Sequence, residues 1–170
     1  MDNTRVEQLI KRNSNGTVLV SRVMCIIAAL FLGLFGFWAL GTLGLLITFA
    51  VIYAVVYFFK MTDVEYEYLL LGTELSIDVI YGKSKRKHAV TYNIQEAEMF
   101  APINSDRVKN YLNNEKIVAK NYSSGNPETN NNVYVLVINN NSQMFKVFIE
   151  PNEQLFEGIR SYISRKTYID

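Results

Sequence analysis

The chain has 170 residues, and its seventeen Lys and Arg nearly balance sixteen Asp and Glu, so no global field draws it to nucleic acid. One cysteine and one histidine exclude a disulfide framework, a cysteine–histidine dyad and a multi-histidine zinc centre. No metal, cofactor or catalytic residue is therefore expected.

Residues 1–19 read as a cytoplasmic N-terminal segment. Within it, TRVEQLIKR sets Val6, Leu9 and Ile10 on one helical face, with Arg5, Glu7, Lys11 and Arg12 around them. That pattern predicts a short amphipathic helix on the membrane surface, ended by the NSNG breaker at 13–16.

From Val23 to Phe59 there are 37 residues without Asp, Glu, Lys, Arg or His. About 18 such residues already argue for a membrane span, and 37 in one helix would extend roughly 55 Å across a hydrocarbon core of about 30 Å. Two spans are required. The break falls at Ala39-Leu40-Gly41-Thr42, where Gly41 can take a turn conformation closed to other residues. This predicts a transmembrane hairpin over 20–60, with helices near 20–39 and 43–60. The first run ends in GFWALG, which lacks the small-x-small site of a cleaved signal peptide. Lys11, Arg12 and Arg22 before the pair and Lys60 after it, with an uncharged turn between, place both termini in the cytoplasm and the hairpin in the membrane. Arg22, Trp38 and Lys60 are the expected anchors at the membrane–water interfaces. With no Asp, Glu, Lys, Arg or His from Val23 to Phe59, a pump or channel is disfavoured. Ala29, Gly33, Gly36, Gly41 and Gly44 supply small residues for helix packing, either within the hairpin or in a homo-oligomer.

Residues 61–170 read as a cytoplasmic domain with its own core. DVEYEYLLL, LSIDVIYG and HAVTYNI alternate as strands, and EAEMFAPI is a less regular fourth. Between the second and third lies GKSKRKH. Its Gly-Lys-Ser matches the end of a phosphate-binding loop, but the glycine needed five residues before Gly82 is Ile77, so the nucleotide reading fails. Lys83, Lys85, Arg86 and Lys87 instead make a basic hairpin tip, a candidate contact for anionic lipid head groups in which each charge near the surface is worth about 1 kcal/mol. The competing reading is a solvated tip whose charges protect a sheet edge. His88 reads as a strand-edge residue, with a pH-responsive group as the alternative, and Glu96 and Glu98 as a solvated acidic pair sharing one strand face, with carboxylate catalysis as the minority alternative.

Asn104-Ser105-Asp106 signals a helix start. KIVAKNY returns to strand character, and SSGNPETNNN has too little apolar content to pack and is expected to be mobile. VYVLVIN and QMFKVFIE form a hairpin across a turn at Asn139–Ser142. After Pro151-Asn152, a helix carries Leu155, Phe156, Ile159, Tyr162 and Ile163 as an apolar stripe.

A helical pair, then the EYEY and KSKRK segments, then NYSSG and FIEPNEQL, resembles a family of small clostridial two-helix membrane proteins known as a domain of unknown function. The soluble part is similar to bacterial PH-like domains. The resemblance implies a membrane-anchored α+β architecture whose seven-stranded split β-barrel is closed by a C-terminal capping helix. It transfers no catalytic residue. The expected function is non-catalytic binding of anionic lipid head groups, of a protein partner, or of both. The alternative is a scaffold or accessory subunit of a larger membrane complex, docking through the hairpin or a sheet edge.

Overall fold

The computed structural model describes residues 5–13, 16–140 and 142–168. The described chain forms two compact units, one of residues 13–64 with 81–85 and the other of residues 5–12, 65–80 and 86–168.

The first unit is built on α1 (Gly16–Leu40) and α2 (Thr42–Thr62), joined by Gly41 alone. Gly41 has φ +56°, which a side chain would resist, and its N–H still donates to the Phe37 carbonyl at 3.0 Å to finish the last turn of α1. Two segments, Val18–Leu40 and Thr42–Lys60, are long and apolar enough to cross a membrane. At 1.5 Å per residue they reach about 35 and 29 Å, close to a hydrocarbon thickness of about 30 Å. The helices meet through small residues. A Cβ on Gly44 would fall 2.0 Å from the Gly36 carbonyl oxygen, and one on Gly33 would fall 2.8 Å from Thr48 Cγ2. Ala29 is buried in the same seam.

The second unit holds two four-stranded sheets. The first has the order β1-β2-β3-β4, from Arg5–Lys11, Val64–Leu71, Glu74–Tyr81 and Lys85–Asn93. The second has the order β5-β7-β8-β6, from Ala97–Pro102, Tyr134–Asn140, Gln143–Ile149 and Val118–Asn121, with β6 parallel to β8. A short helix α3 (Asp106–Leu112) precedes β6, and α4 (Glu153–Ile163) follows β8. Tyr68 and Leu70 of β2 and Leu75 and Ile77 of β3 are fully buried in alternation, while β7 buries Val135, Leu136, Val137 and Ile138 in an unbroken run. Leu155, Ile159 and Ile163 of α4 join them, and Gly158 lets the helix approach Leu70 closely. Asn152 caps α4, its Oδ1 accepting from the Leu155 N–H at 2.8 Å. Inside, the Tyr68 hydroxyl donates to the Tyr122 carbonyl at 2.6 Å, and burial pushes that phenol well above its usual range.

The seven strands expected after the apolar helices are present, and an eighth precedes them. The segment read as an amphipathic helix is β1, antiparallel to β2 over seven residues from Arg5↔Leu71 to Lys11↔Glu65. Val6, Gln8 and Ile10 face inward while Arg5, Glu7, Leu9 and Lys11 face out. A seven-residue helix would have had to meet its nucleation cost alone, whereas the strand gains a complete ladder. The apolar helix pair is thus an insertion between two neighbouring strands of one sheet. The acidic pair also changes: Glu96 belongs to a 3-10 turn over Ile94–Glu96 and only Glu98 to β5, so they do not share a strand face. The loop expected to be unpacked begins with a packed residue and is otherwise intermediate or exposed. Ser123 is buried, and Asn121 Oδ1 accepts from both its N–H and its hydroxyl. Of the breaker at 13–16, Ser14 and Asn15 lie outside the described residues, as does Asn141 of the β7–β8 turn.

One polar contact ties α3 to β8. Lys146 is buried, and its ammonium donates to the carbonyls of Leu112 at 2.7 Å, Asn114 at 3.3 Å and Tyr111 at 3.4 Å, at the C-terminal end of α3 where a cation is favoured. Lys146→Met keeps the stem but removes the donors, and should cost about 2 kcal/mol. Thermal unfolding of the full chain in detergent checks this, with Lys146→Arg expected to recover part of the loss.

Candidate functional site

The basic tip is narrower than its sequence suggests. β4 begins at Lys85, so only Gly82, Lys83 and Ser84 form the turn, closed by the Ser84 N–H donating to the Tyr81 carbonyl at 3.2 Å. Gly82 and Lys83 have φ +56° and +57°, the pair of left-handed residues that tight hairpins favour. For lysine this conformation costs about 1 kcal/mol, which Asn or Gly would largely avoid.

Two further contacts fix the turn within the helical unit. The Gly82 N–H donates to the Asp63 carbonyl at 2.8 Å, just past the end of α2. A Cβ on Gly82 would stand 2.7 Å from the Lys60 carbonyl oxygen, so the backbones touch and only glycine fits. The turn therefore rests on the last residues of the second apolar helix. Lys60, Lys83 and Lys85 are all exposed in this unit, and no carboxylate of the described residues pairs with them.

Arg22 sits at the same end of the helical pair. Its Nη2 donates to Thr62 Oγ1 at 2.8 Å and Asp63 Oδ1 at 2.9 Å, and the guanidinium lies over the Phe59 ring at 5.6 Å. It links the start of α1 to the end of α2 as a clip, with its charge matched by Asp63. Trp38 lies at the other end, 84% exposed, three residues before the Gly41 turn.

The remaining tip residues belong to the sheet unit. Lys87 is exposed and has no partner among the described residues. Arg86 is engaged: its guanidinium pairs with Glu67 of β2 and lies 3.8 Å from Asp78 of β3. His88 Nδ1 is 2.8 Å from Asp78 Oδ1, and its Nε2 is 3.3 Å from the Thr91 hydroxyl. Arg86 and His88 thus serve a polar patch on the sheet face. Sequence reasoning missed Glu67 and Asp78 as partners, although both occupy the polar positions of strands that alternate with period two. Glu98 accepts a long hydrogen bond from the Tyr111 hydroxyl at 3.5 Å. Among the described residues no group of three or more His, Cys, Asp and Glu could hold a metal ion.

What this arrangement offers is a set of flexible cations without buried acid–base partners, which suits recognition of negative charge. A family model described as Bacterial PH-like domain (DUF6106) matches residues 2–169. No curated protein and no solved structure matches the chain.

Proposed function

Since the chain belongs to the bacterial PH-like domain family, we propose that it is a non-catalytic binding module anchored in the bacterial cell membrane by α1 and α2, whose basic turn contacts anionic lipid head groups on the cytoplasmic side. The observation that carries this reading is the seating of the Gly82–Ser84 turn on Lys60 and Asp63. Residues at the end of a spanning helix lie at head-group level, so a turn resting there brings Lys83 and Lys85 to the depth where Lys60 already is. Lys87 follows Lys85 by two residues along β4. Arg86 contributes little, because its charge is already matched by Glu67 and Asp78. The left-handed conformation of Lys83 supports the same reading, since a local cost retained in the backbone is a mark of a functional position.

The test uses the full chain in bilayers of mixed lipid with a spin-labelled reporter, comparing anionic with zwitterionic species. Lys83→Gln, Lys85→Gln and Lys87→Gln together should reduce the preference for anionic lipid about tenfold at low salt, with each lysine worth up to about 1 kcal/mol. Raising ionic strength should erase the wild-type preference in the same way. An unchanged preference in the triple variant would refute the lipid role.

A further inference from the structure

The sheet unit carries a cleft of about 460 Å3. Its walls are Gln8 and Ile10 of β1, Tyr134 of β7, Glu150 and Glu153 at the β8–α4 corner, and Phe156 of α4. The cleft is built rather than incidental. The Gln8 side chain donates to the Glu150 carbonyl and accepts from the Asn152 N–H, both at 2.7 Å, bolting β1 to the corner. The Tyr134 and Phe156 rings are 5.2 Å apart and Phe156 leans on Phe100 at 5.8 Å, so the aromatic wall is fixed before anything binds.

Two features of this cleft are unsatisfied in complementary ways. The first is backbone. β1 is the outermost strand of its sheet, and among the described residues its backbone bonds run only to β2, leaving one side of the strand open. The second is charge. Glu150 accepts from the Ser124 N–H at 2.6 Å through one carboxylate oxygen, Glu153 has no partner among the described residues, and no Lys, Arg or His lines the cleft. Carboxylates beside ring faces favour a cation, because both the ion pair and the ring quadrupole attract it.

We propose that this cleft binds an extended polypeptide segment carrying Lys or Arg, its backbone pairing with the open edge of β1 and its cationic side chain meeting Glu150 and Glu153 against the Tyr134 and Phe156 rings. A small amine would satisfy the carboxylates but leave the strand edge unpaired, whereas an added strand uses both. The site is independent of the basic turn: it has opposite charge and a different class of ligand.

The experiment holds the full chain in nanodiscs of purely zwitterionic lipid, so that basic peptides find no anionic surface. Two degenerate libraries of short peptides are compared, one with Lys and one with Glu fixed at alternate positions. The Lys library should be retained at least about tenfold better at low salt, in keeping with charge-paired interfaces. Glu150→Gln with Glu153→Gln should remove that difference with only a small fall in the unfolding temperature, because glutamine still accepts from Ser124 and α4 loses a single first-turn charge. N-methylation at alternate backbone positions of the retained peptides should also release them, and bound peptide should slow hydrogen exchange along β1. Equal retention of the two libraries, or retention indifferent to the double substitution, overturns the proposal. Retention of the Lys library that survives N-methylation overturns the strand-pairing part.

Discussion

Gly44→Leu should separate the two apolar helices. The Cβ alone would lie 2.0 Å from the Gly36 carbonyl oxygen and 2.9 Å from the Phe37 nitrogen, and both are backbone atoms that no rotamer change can move aside. The helices must part by the width of a side chain, breaking the contacts of Gly33 with Thr48 and of Gly36 with Gly44 together. Close backbone approach is what drives helix pairing where the surroundings are as apolar as the side chains, so the loss has no hydrophobic compensation. Overpacking of this kind costs on the order of 3 kcal/mol. The measurement is thermal unfolding of the full chain in micelles, followed by circular dichroism and by fluorescence of Trp38. Ala50→Leu is the control, since Ala50 is exposed on α2 and ends with the same leucine side chain without the clash. If the two variants melt together, backbone contact is not what holds the pair.

The helix pair was the most legible part of the sequence, and β1 the least, for related physical reasons. Thirty-seven residues without Asp, Glu, Lys, Arg or His admit few solvents, and a chain that long must fold back, which it does at Gly41, one of its four glycines and the one with positive φ. For β1, local information is ambiguous. Val6, Leu9 and Ile10 suit a helical period, while Val6, Gln8 and Ile10 suit a strand only if a glutamine may face inward. What makes Gln8 acceptable is its pair of bonds to residues 150 and 152, more than 140 positions away. The strand's ladder partner β2 lies beyond the whole helical insertion. Such non-local pairing leaves no trace in a short window.

The tip shows the same division within a few residues. Its charge and its hairpin were readable from GKSKRKH between two alternating runs. Its seating was not, because the requirement for glycine at 82 comes from the Lys60 carbonyl, and Arg86 could be assigned to the sheet only once Glu67 stood opposite it. Four basic residues in one short run therefore resolve into three lysines without a carboxylate partner among the described residues and one engaged arginine. Counting charge along the chain measures composition, whereas lipid contact depends on which charges remain unmatched and where the backbone holds them.

That distinction yields a variant that keeps every charge and changes only their placement. Gly82→Val should abolish the preference for anionic lipid as completely as removing the three lysines, a drop of about tenfold. Valine at φ +56° is strained, and its Cβ would stand 2.7 Å from the Lys60 carbonyl, so the turn must leave the end of α2 and give up the bond to Asp63. Strain alone also lowers stability, by about 1–2 kcal/mol for a left-handed residue with a side chain. Gly72→Val separates the two effects. Gly72 has φ +57° in the β2–β3 turn but nothing within 4 Å of its added Cβ, so it incurs the strain without the clash. Both variants should therefore lose comparable strain energy in thermal unfolding, while only Gly82→Val loses lipid selectivity in the spin-label measurement. If Gly82→Val keeps the wild-type preference, the lysines act from wherever the chain carries them, and the seating of the turn has no part in recognition.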